Sequence, residues 1–284
     1  MAVDREPSRG FLSSGVRVAR ALLAVYLSVV VLMMIFEHHF IFFPSKYDGS
    51  AAWSPTGLNY RDVYFKAADG TKLHGWYLPH ESPREVVLFA HGNAGDITNR
   101  VDMAQQLQKR GLTVFLFDYR GYGRSGGRPS EEGILADARA ARAKLAELSG
   151  VGSGEIVLMG RSLGGGVVVD LAAKDGARAL ILESTFTSLP DVAAIHYPWL
   201  PVRMLMRSRL DSLSKIQKYD GPLLQSHGDR DNLIPIELGR RLYDSIDRPD
   251  GPDKVFFTVE GGGHNSVQPN EFYRRLDDFI DALP

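Results

Sequence analysis

The chain has 284 residues, with 33 Lys and Arg against 34 Asp and Glu, and no Cys. That length suits one large α/β domain, about 240 residues once an N-terminal segment is set aside. The near-neutral charge excludes an electrostatic case for nucleic acid or a strongly acidic ligand. The lack of Cys excludes a Cys nucleophile, a Cys-rich metal site, disulfides and a lipidated N-terminal Cys.

The first candidate element is apolar. Residues 21–36 carry no charge, a run slightly short of the about twenty residues that cross a bilayer. Arg17 and Arg20 can snorkel and lengthen it, and Phe40, Phe42, Phe43 and Tyr47 suit an interfacial aromatic belt. A cleaved signal peptide needs small residues at its cleavage site, and residues 33–43 are bulky; a core helix is the third reading. The expectation is an uncleaved single-pass anchor. Arg5, Arg9, Arg17 and Arg20 precede it, while Glu37, His38 and His39 follow. The positive-inside rule then puts the N-terminus in the cytoplasm and the rest of the chain across the membrane, in the periplasm if the source is bacterial. The expected organisation is a stub and anchor over 1–43 and a single domain over 44–284.

Past the anchor, strands and helices alternate. Residues 63–65 and 73–78 flank an Ala-Asp-Gly turn and read as a hairpin. Short apolar runs at 86–90, 113–118, 156–159, 179–182, 222–226 and 254–259 read as buried parallel strands. Helical patterns lie near 98–109, 131–148, 165–174, 236–247 and 269–282. The alternation predicts a parallel sheet with helices on both faces. Residues 186–219 interrupt the rhythm with no strand. They read either as two ordinary helices packed on the sheet or as a small cap whose apolar residues line an acyl pocket or touch a bilayer.

The chemistry sits at the ends of those strands. Gly160-Arg161-Ser162-Leu163-Gly164 follows an apolar run and precedes a small, apolar helical segment. Strand, tight turn and helix are the context of a nucleophile elbow, which holds its Ser in a sparsely allowed backbone region so that the hydroxyl projects into a cleft. Side chains at Gly160 and Gly164 would clash where the turn is tightest. Leu163, the residue after the Ser, supplies one backbone N–H to an oxyanion hole. A nucleophilic Ser needs a base and the base an orienting carboxylate. A strand running into His227-Gly228-Asp229-Arg230-Asp231 offers the acid, and one running into Gly261-Gly262-Gly263-His264 offers the base. Glu183, at the end of the strand after the elbow, is an alternative acid. The remaining His residues read as structural or surface groups, with His38 and His39 interfacial. The grouping His227, Asp229, Asp231 is better explained by a hydrolase loop than by a metal, and no metal or other cofactor is expected.

Together with Phe42-Phe43-Pro44-Ser45, Asp69-Gly70-Thr71, His91-Gly92-Asn93-Ala94-Gly95 and Asp118-Tyr119-Arg120-Gly121-Tyr122-Gly123, these motifs make the chain resemble α/β-hydrolase-fold serine hydrolases. More narrowly, it resembles the membrane-anchored Bem46-like group, some of whose animal relatives are protein depalmitoylases. The resemblance implies an α/β-hydrolase fold: a mostly parallel eight-stranded sheet with an antiparallel second strand and helices on both faces. It implies Ser162, Asp231 and His264 as the triad, Asp231 being the last position of His-Gly-x-x-Asp; Asp229, which follows Gly228, is expected by its local chemistry to bond its own backbone in the turn. It implies the Asn93 amide as the second oxyanion donor. The expected activity is hydrolysis of a carboxylic ester or thioester, with a small-molecule or lipid-like acyl substrate. A serine peptidase of the same fold and an inactive membrane-tethered binding module are the alternatives.

Overall fold

The computed structural model describes residues 9–251 and 253–284, and side chains from residue 14 onward; Arg5 lies outside the described residues, as does the side chain of Arg9. The apolar runs form an eight-stranded sheet: β1 (Arg61–Lys66), β2 (Lys72–Leu78), β3 (Val86–Ala90), β4 (Thr113–Asp118), β5 (Val157–Arg161), β6 (Leu180–Glu183), β7 (Leu223–Gly228) and β8 (Lys254–Val259). The spatial order is β8-β7-β6-β5-β3-β4-β2-β1. β2 is antiparallel to both neighbours and every other pairing is parallel. The chain therefore steps from β3 outward to β4 and then back across to β5. That reversal opens a crevice beyond the carboxyl ends of β3 and β5, where open α/β sheets hold their ligands.

Both faces of the sheet are covered, so its central strands are apolar without alternation. Side chains still divide by parity. Leu88, Leu158, Leu180 and Leu182 enter one core with α4 (Glu131–Ser149), α5 (Leu163–Asp175) and α9 (Ile236–Asp244). Val87, Phe89, Val157, Met159 and Ile181 enter the other with α3 (Val101–Gln108) and α10 (Asn270–Asp281). Helix ends follow local chemistry. The Ser130 hydroxyl caps α4 by accepting the Gly133 N–H, and Gly150 ends it in the left-handed conformation at φ 79°.

The N-terminal helix α1 (Arg9–Ile35) is continuous through Arg17 and Arg20. Its 27 residues make it about 40 Å long, so the shortness of the charge-free run is no obstacle to spanning. The most apolar 18-residue window within residues 14–35 has a mean hydropathy of 2.4. Helix α2 (Glu37–Ile41) then turns the chain into the domain. Ile41 and Phe42 are buried in the first core. Phe43–Pro44 pairs in parallel with Ala94–Gly95, and the Tyr47 N–H donates to the Gly123 carbonyl. Phe42 is thus a core residue and not part of an interfacial belt. Tyr47 packs edge-on against Trp53 at 5.2 Å with the Arg124 guanidinium 4.4 Å over its ring. The 43/44 boundary falls inside this packed segment.

Residues 186–219 form three short helices: α6 (Leu189–His196), α7 (Val202–Leu205) and α8 (Ser212–Ile216). They divide in role. Helix α8 lies on α5, where Gly166 leaves room for Leu210 and Ser212. Helices α6 and α7 pack instead against the end of α1.

Candidate active site

Ser162 stands between β5 and α5 with φ 53° and ψ −118°, and is 6% exposed. A non-glycine residue at positive φ is strained and persists only where its surroundings enforce it. The surroundings here are backbone and the Thr185 side chain. A side chain on Gly160 would run into the Gly164 carbonyl, one on Gly164 into the carbonyls of Ala90 and His91, and one on Gly165 into Thr185. The Ser162 N–H donates to the Glu183 carbonyl at 2.9 Å, and its own carbonyl accepts the Gly165 N–H and the Thr185 hydroxyl. The turn is held from both sides, and the hydroxyl points at an imidazole.

That imidazole belongs to His264, on the loop after β8. Its Nε2 lies 3.1 Å from Ser162 Oγ and its Nδ1 lies 2.7 Å from Asp231 Oδ2. Asp231 is 4% exposed, and its other oxygen, Oδ1, accepts the N–H groups of Leu233 (2.9 Å) and Ile234 (2.8 Å). Burial would raise the pKa of this carboxyl. The hydrogen bonds from His227, His264 and the Ile234 amide outweigh it and hold Asp231 well below the usual carboxylate range. A carboxylate that stays ionised fixes the proton of His264 on Nδ1, leaving Nε2 as the acceptor facing the serine.

The loop after β3 passes beside Ser162: a Cβ on Gly92 would lie 3.5 Å from that of Ser162. Asn93 and Leu163 line the same cavity as Ser162. Asn93 is held by groups distant in sequence. Its side-chain amide donates to the Ile41 carbonyl (3.1 Å), and its carbonyl accepts the Tyr122 hydroxyl (2.8 Å) and the Phe43 N–H (2.9 Å). His91 braces the turn from inside. Its Nδ1 donates to the Gly92 carbonyl at 2.7 Å, and burial lowers its pKa to about 3, so it is a neutral structural group. The cavity, of about 560 Å³, is lined by apolar residues apart from Glu37, Asn93, Ser162, His196 and Tyr197.

Known proteins match over the same elements. The Mycobacterium tuberculosis protein Rv2307c is 42% identical over 244 residues, covering 84% of each chain. The α/β-hydrolase domain-containing protein WAV2 of Arabidopsis thaliana is 33% identical over 236 residues, covering 75% of this chain and 77% of its own. The chain belongs to the α/β-hydrolase family. A family model described as serine aminopeptidase, S33, matches residues 81–208 of this α/β-hydrolase. That stretch holds Asn93, Ser162 and Leu163 and ends before Asp231 and His264. The fold is also that of the Pyrococcus furiosus esterase Pf2001, with a TM-score of 0.68 and 22% identity, over 86% of this chain and 98% of that one.

The other acid candidates of the hydrolase lie elsewhere. Glu183 is fully buried beneath the elbow, and neither carboxylate oxygen has a hydrogen-bond partner among the described residues. Burial pushes its pKa up against the pull of the Arg161 and Arg100 guanidinium groups and the Gln268 amide. Asp229 does not bond its own turn, as sequence reasoning expects; its Oδ1 accepts the Gly261 N–H at 2.7 Å. β7 and β8 are adjacent and parallel, so their loops emerge side by side and Asp229 pins the loop that carries His264. His227 Nε2 donates to the Ile234 carbonyl at 2.8 Å and closes the acid loop. Sequence reasoning missed one positioning group. Arg161, between two motif positions, donates from Nη2 to the His264 carbonyl at 2.7 Å. A guanidinium at the end of β5, beside the end of β6, was the only available signal.

Proposed function

We propose that this α/β-hydrolase hydrolyses a carboxylic ester or thioester of an apolar acyl group through an acyl-enzyme. The observation that carries the reading is the unbroken row Asp231–His264–Ser162 ending on an apolar cavity. His264 Nε2 takes the proton of Ser162 as Oγ bonds to the acyl carbon. The carbonyl oxygen becomes an oxyanion, which the backbone N–H groups of Asn93 and Leu163 stabilise. His264 then returns the proton to the leaving alcohol or thiol as its bond to the acyl carbon breaks. Water repeats the sequence: His264 takes its proton, its oxygen attacks the acyl carbon, and Ser162 Oγ leaves with the proton back from His264. Asp231 stays ionised throughout and stabilises the imidazolium.

The family model's description favours a second reading, a serine peptidase acting at a free N-terminus. A bound α-ammonium needs a counter-charge. Glu37 is the one carboxylate among the described residues lining the cavity. Its two oxygens are already engaged, accepting the N–H groups of Arg207 (3.0 Å) and Ser208 (2.7 Å). Walls that are mostly apolar suit an acyl chain better than an ammonium, and the esterase Pf2001 shares the fold. We further propose that α1 is a single-pass anchor rather than a cleaved signal sequence, with the N-terminus cytoplasmic and the hydrolase domain on the far side.

The test is full-length protein in detergent with p-nitrophenyl acyl esters, acyl thioesters and aminoacyl p-nitroanilides. The reading expects turnover of the first two and little of the third. Faster cleavage of the anilides would establish the peptidase instead.

A further inference from the structure

The cavity that ends at Ser162 is walled on one side by the apolar N-terminal helix itself. Val30, Met33 and Met34 of α1 line it, as do Phe40 and Ile41 of α2. Leu200, Val202, Leu205 and Met206 line it from the α6–α7 region. The two sides meet: Val30, Leu200 and Val202 form a small buried apolar cluster, with Tyr26, Met33 and Met34 packed against it. The contact continues down the helix. Tyr26 Oη donates to the Trp199 carbonyl at 3.1 Å, and the two rings meet edge-on at 6.3 Å. Glu37 locks the upper end through its bonds to Arg207 and Ser208.

This places the cap at a definite depth. At 1.5 Å per residue, Tyr26 lies about 13 Å along α1 from its end at Ile35. If residues 14–35 fill a hydrocarbon core of about 30 Å, a cap fastened to Tyr26 reaches well below the surface of the outer half of the bilayer. The outward residues of the cap agree. Ile195, Trp199 and Met204 are 45%, 54% and 84% exposed, and Leu32, Ile35 and Phe36 of the helix region are exposed as well. Large apolar side chains exposed on a cap that packs against an apolar span suit contact with lipid, and the intervening Arg203 is paired with Asp191 at 3.1 Å.

We infer that the end of α1 and the α6–α7 cap are immersed together in the non-cytoplasmic leaflet. The acyl chain of a membrane-resident lipid ester passes from that leaflet between them into the cavity at Ser162, and Met33 and Met34 set how much chain it accepts. The inference rests on the esterase and anchor readings above. It makes the anchor a wall of the substrate site, not only a tether. The volume of about 560 Å³ is in the range of small-molecule pockets, roughly 300–1,000 Å³.

The experiment uses the full chain reconstituted in phosphatidylcholine vesicles. Trp53 and Trp76 are buried in the hydrolase domain, and Trp199 is the exposed indole. Lipids brominated along their acyl chains are expected to quench tryptophan emission, and Trp199→Phe to remove the quenchable part. In a second arm, Met33→Trp narrows the cavity, and the ratio of kcat/KM for a hexadecanoyl ester to that for the butanoyl ester of the same alcohol is expected to fall at least about tenfold. Unquenched emission from vesicle-integrated protein, or an equal fall on both esters, overturns this inference and leaves the esterase reading standing. Protein that does not integrate into vesicles overturns the anchor reading and this inference with it. Wild-type protein that turns over neither ester overturns the esterase reading itself.

Discussion

Replacing Asp231 by Asn changes one atom, and the surrounding hydrogen bonds dictate how the amide must sit. Oδ1 of Asp231 accepts two backbone N–H groups, from Leu233 and Ile234. Only the carbonyl oxygen of Asn can take that place, because the –NH₂ group would face two donors. The amide nitrogen is therefore forced into the position of Oδ2, 2.7 Å from His264 Nδ1. A donor there requires Nδ1 to be the acceptor, so the ring proton moves to Nε2, which then cannot take the proton of Ser162. The loss is that of a wrong tautomer together with an unsupported imidazolium, roughly 10⁴-fold in kcat, or about 5 kcal/mol at 1.36 kcal/mol per tenfold. The two backbone bonds survive, so the fold is expected to melt within a few degrees of wild type. The assay is ester turnover and fluorophosphonate labelling rate on purified full-length protein, with thermal unfolding as the control for folding. A folded Asp231→Asn protein within tenfold of wild-type kcat would refute the reasoning.

Asp229 acts on the same loop more weakly. Asp229→Asn keeps an oxygen for the Gly261 N–H and should cost less than about tenfold in kcat, whereas Asp229→Ala removes the bond and should cost more; equal effects of the two, measured by ester turnover, would separate Asp229 from the positioning of His264. Glu183→Gln should leave kcat within about tenfold, since the carboxyl does not touch His264, and should change stability in a pH-dependent way. The raised pKa means that the folded state binds more protons than the unfolded chain above the ordinary Glu range, so this group's contribution to stability is complete at low pH and falls as pH rises. The melting temperature of the variant relative to wild type is therefore expected to be higher at pH 8 than at pH 4, and an equal difference at both would contradict the raised pKa of Glu183. The arginines before residue 21 predict a domain outside the cytoplasm of a bacterial host: protease added to intact spheroplasts should digest it, and digestion only after lysis would reverse the proposed topology.

What was legible in the sequence was local. The strands Thr113–Asp118 and Lys254–Val259 coincide with their apolar runs; the first is buried throughout, as a strand covered on both faces is, and the second is a half-buried edge strand. The elbow was legible because glycine spacing is itself a steric demand, met here by Gly160 and Gly164 against neighbouring backbone. What stayed hidden depended on contacts between segments far apart in the chain. Nothing near Asp229 announces that its partner is Gly261, and nothing near Phe42 announces that it faces the core rather than a membrane interface. Helix α1 looked like an inert span because its composition reports only its solvent. Its packing against Leu200 and Val202 comes from a fold that returns residue 200 to residue 30. The strandless stretch 186–219 offered no periodicity strong enough to separate its three short helices.

The central claim is that Ser162 is the nucleophile, and the most direct measurement is the site of a covalent adduct. Wild-type full-length protein treated with a fluorophosphonate and digested should carry the phosphonyl group on Ser162 alone, and Ser162→Ala should take up none while losing roughly 10⁴-fold or more in ester turnover. An adduct on another residue, or a folded Ser162→Ala protein that keeps more than about a tenth of wild-type turnover, would contradict the account.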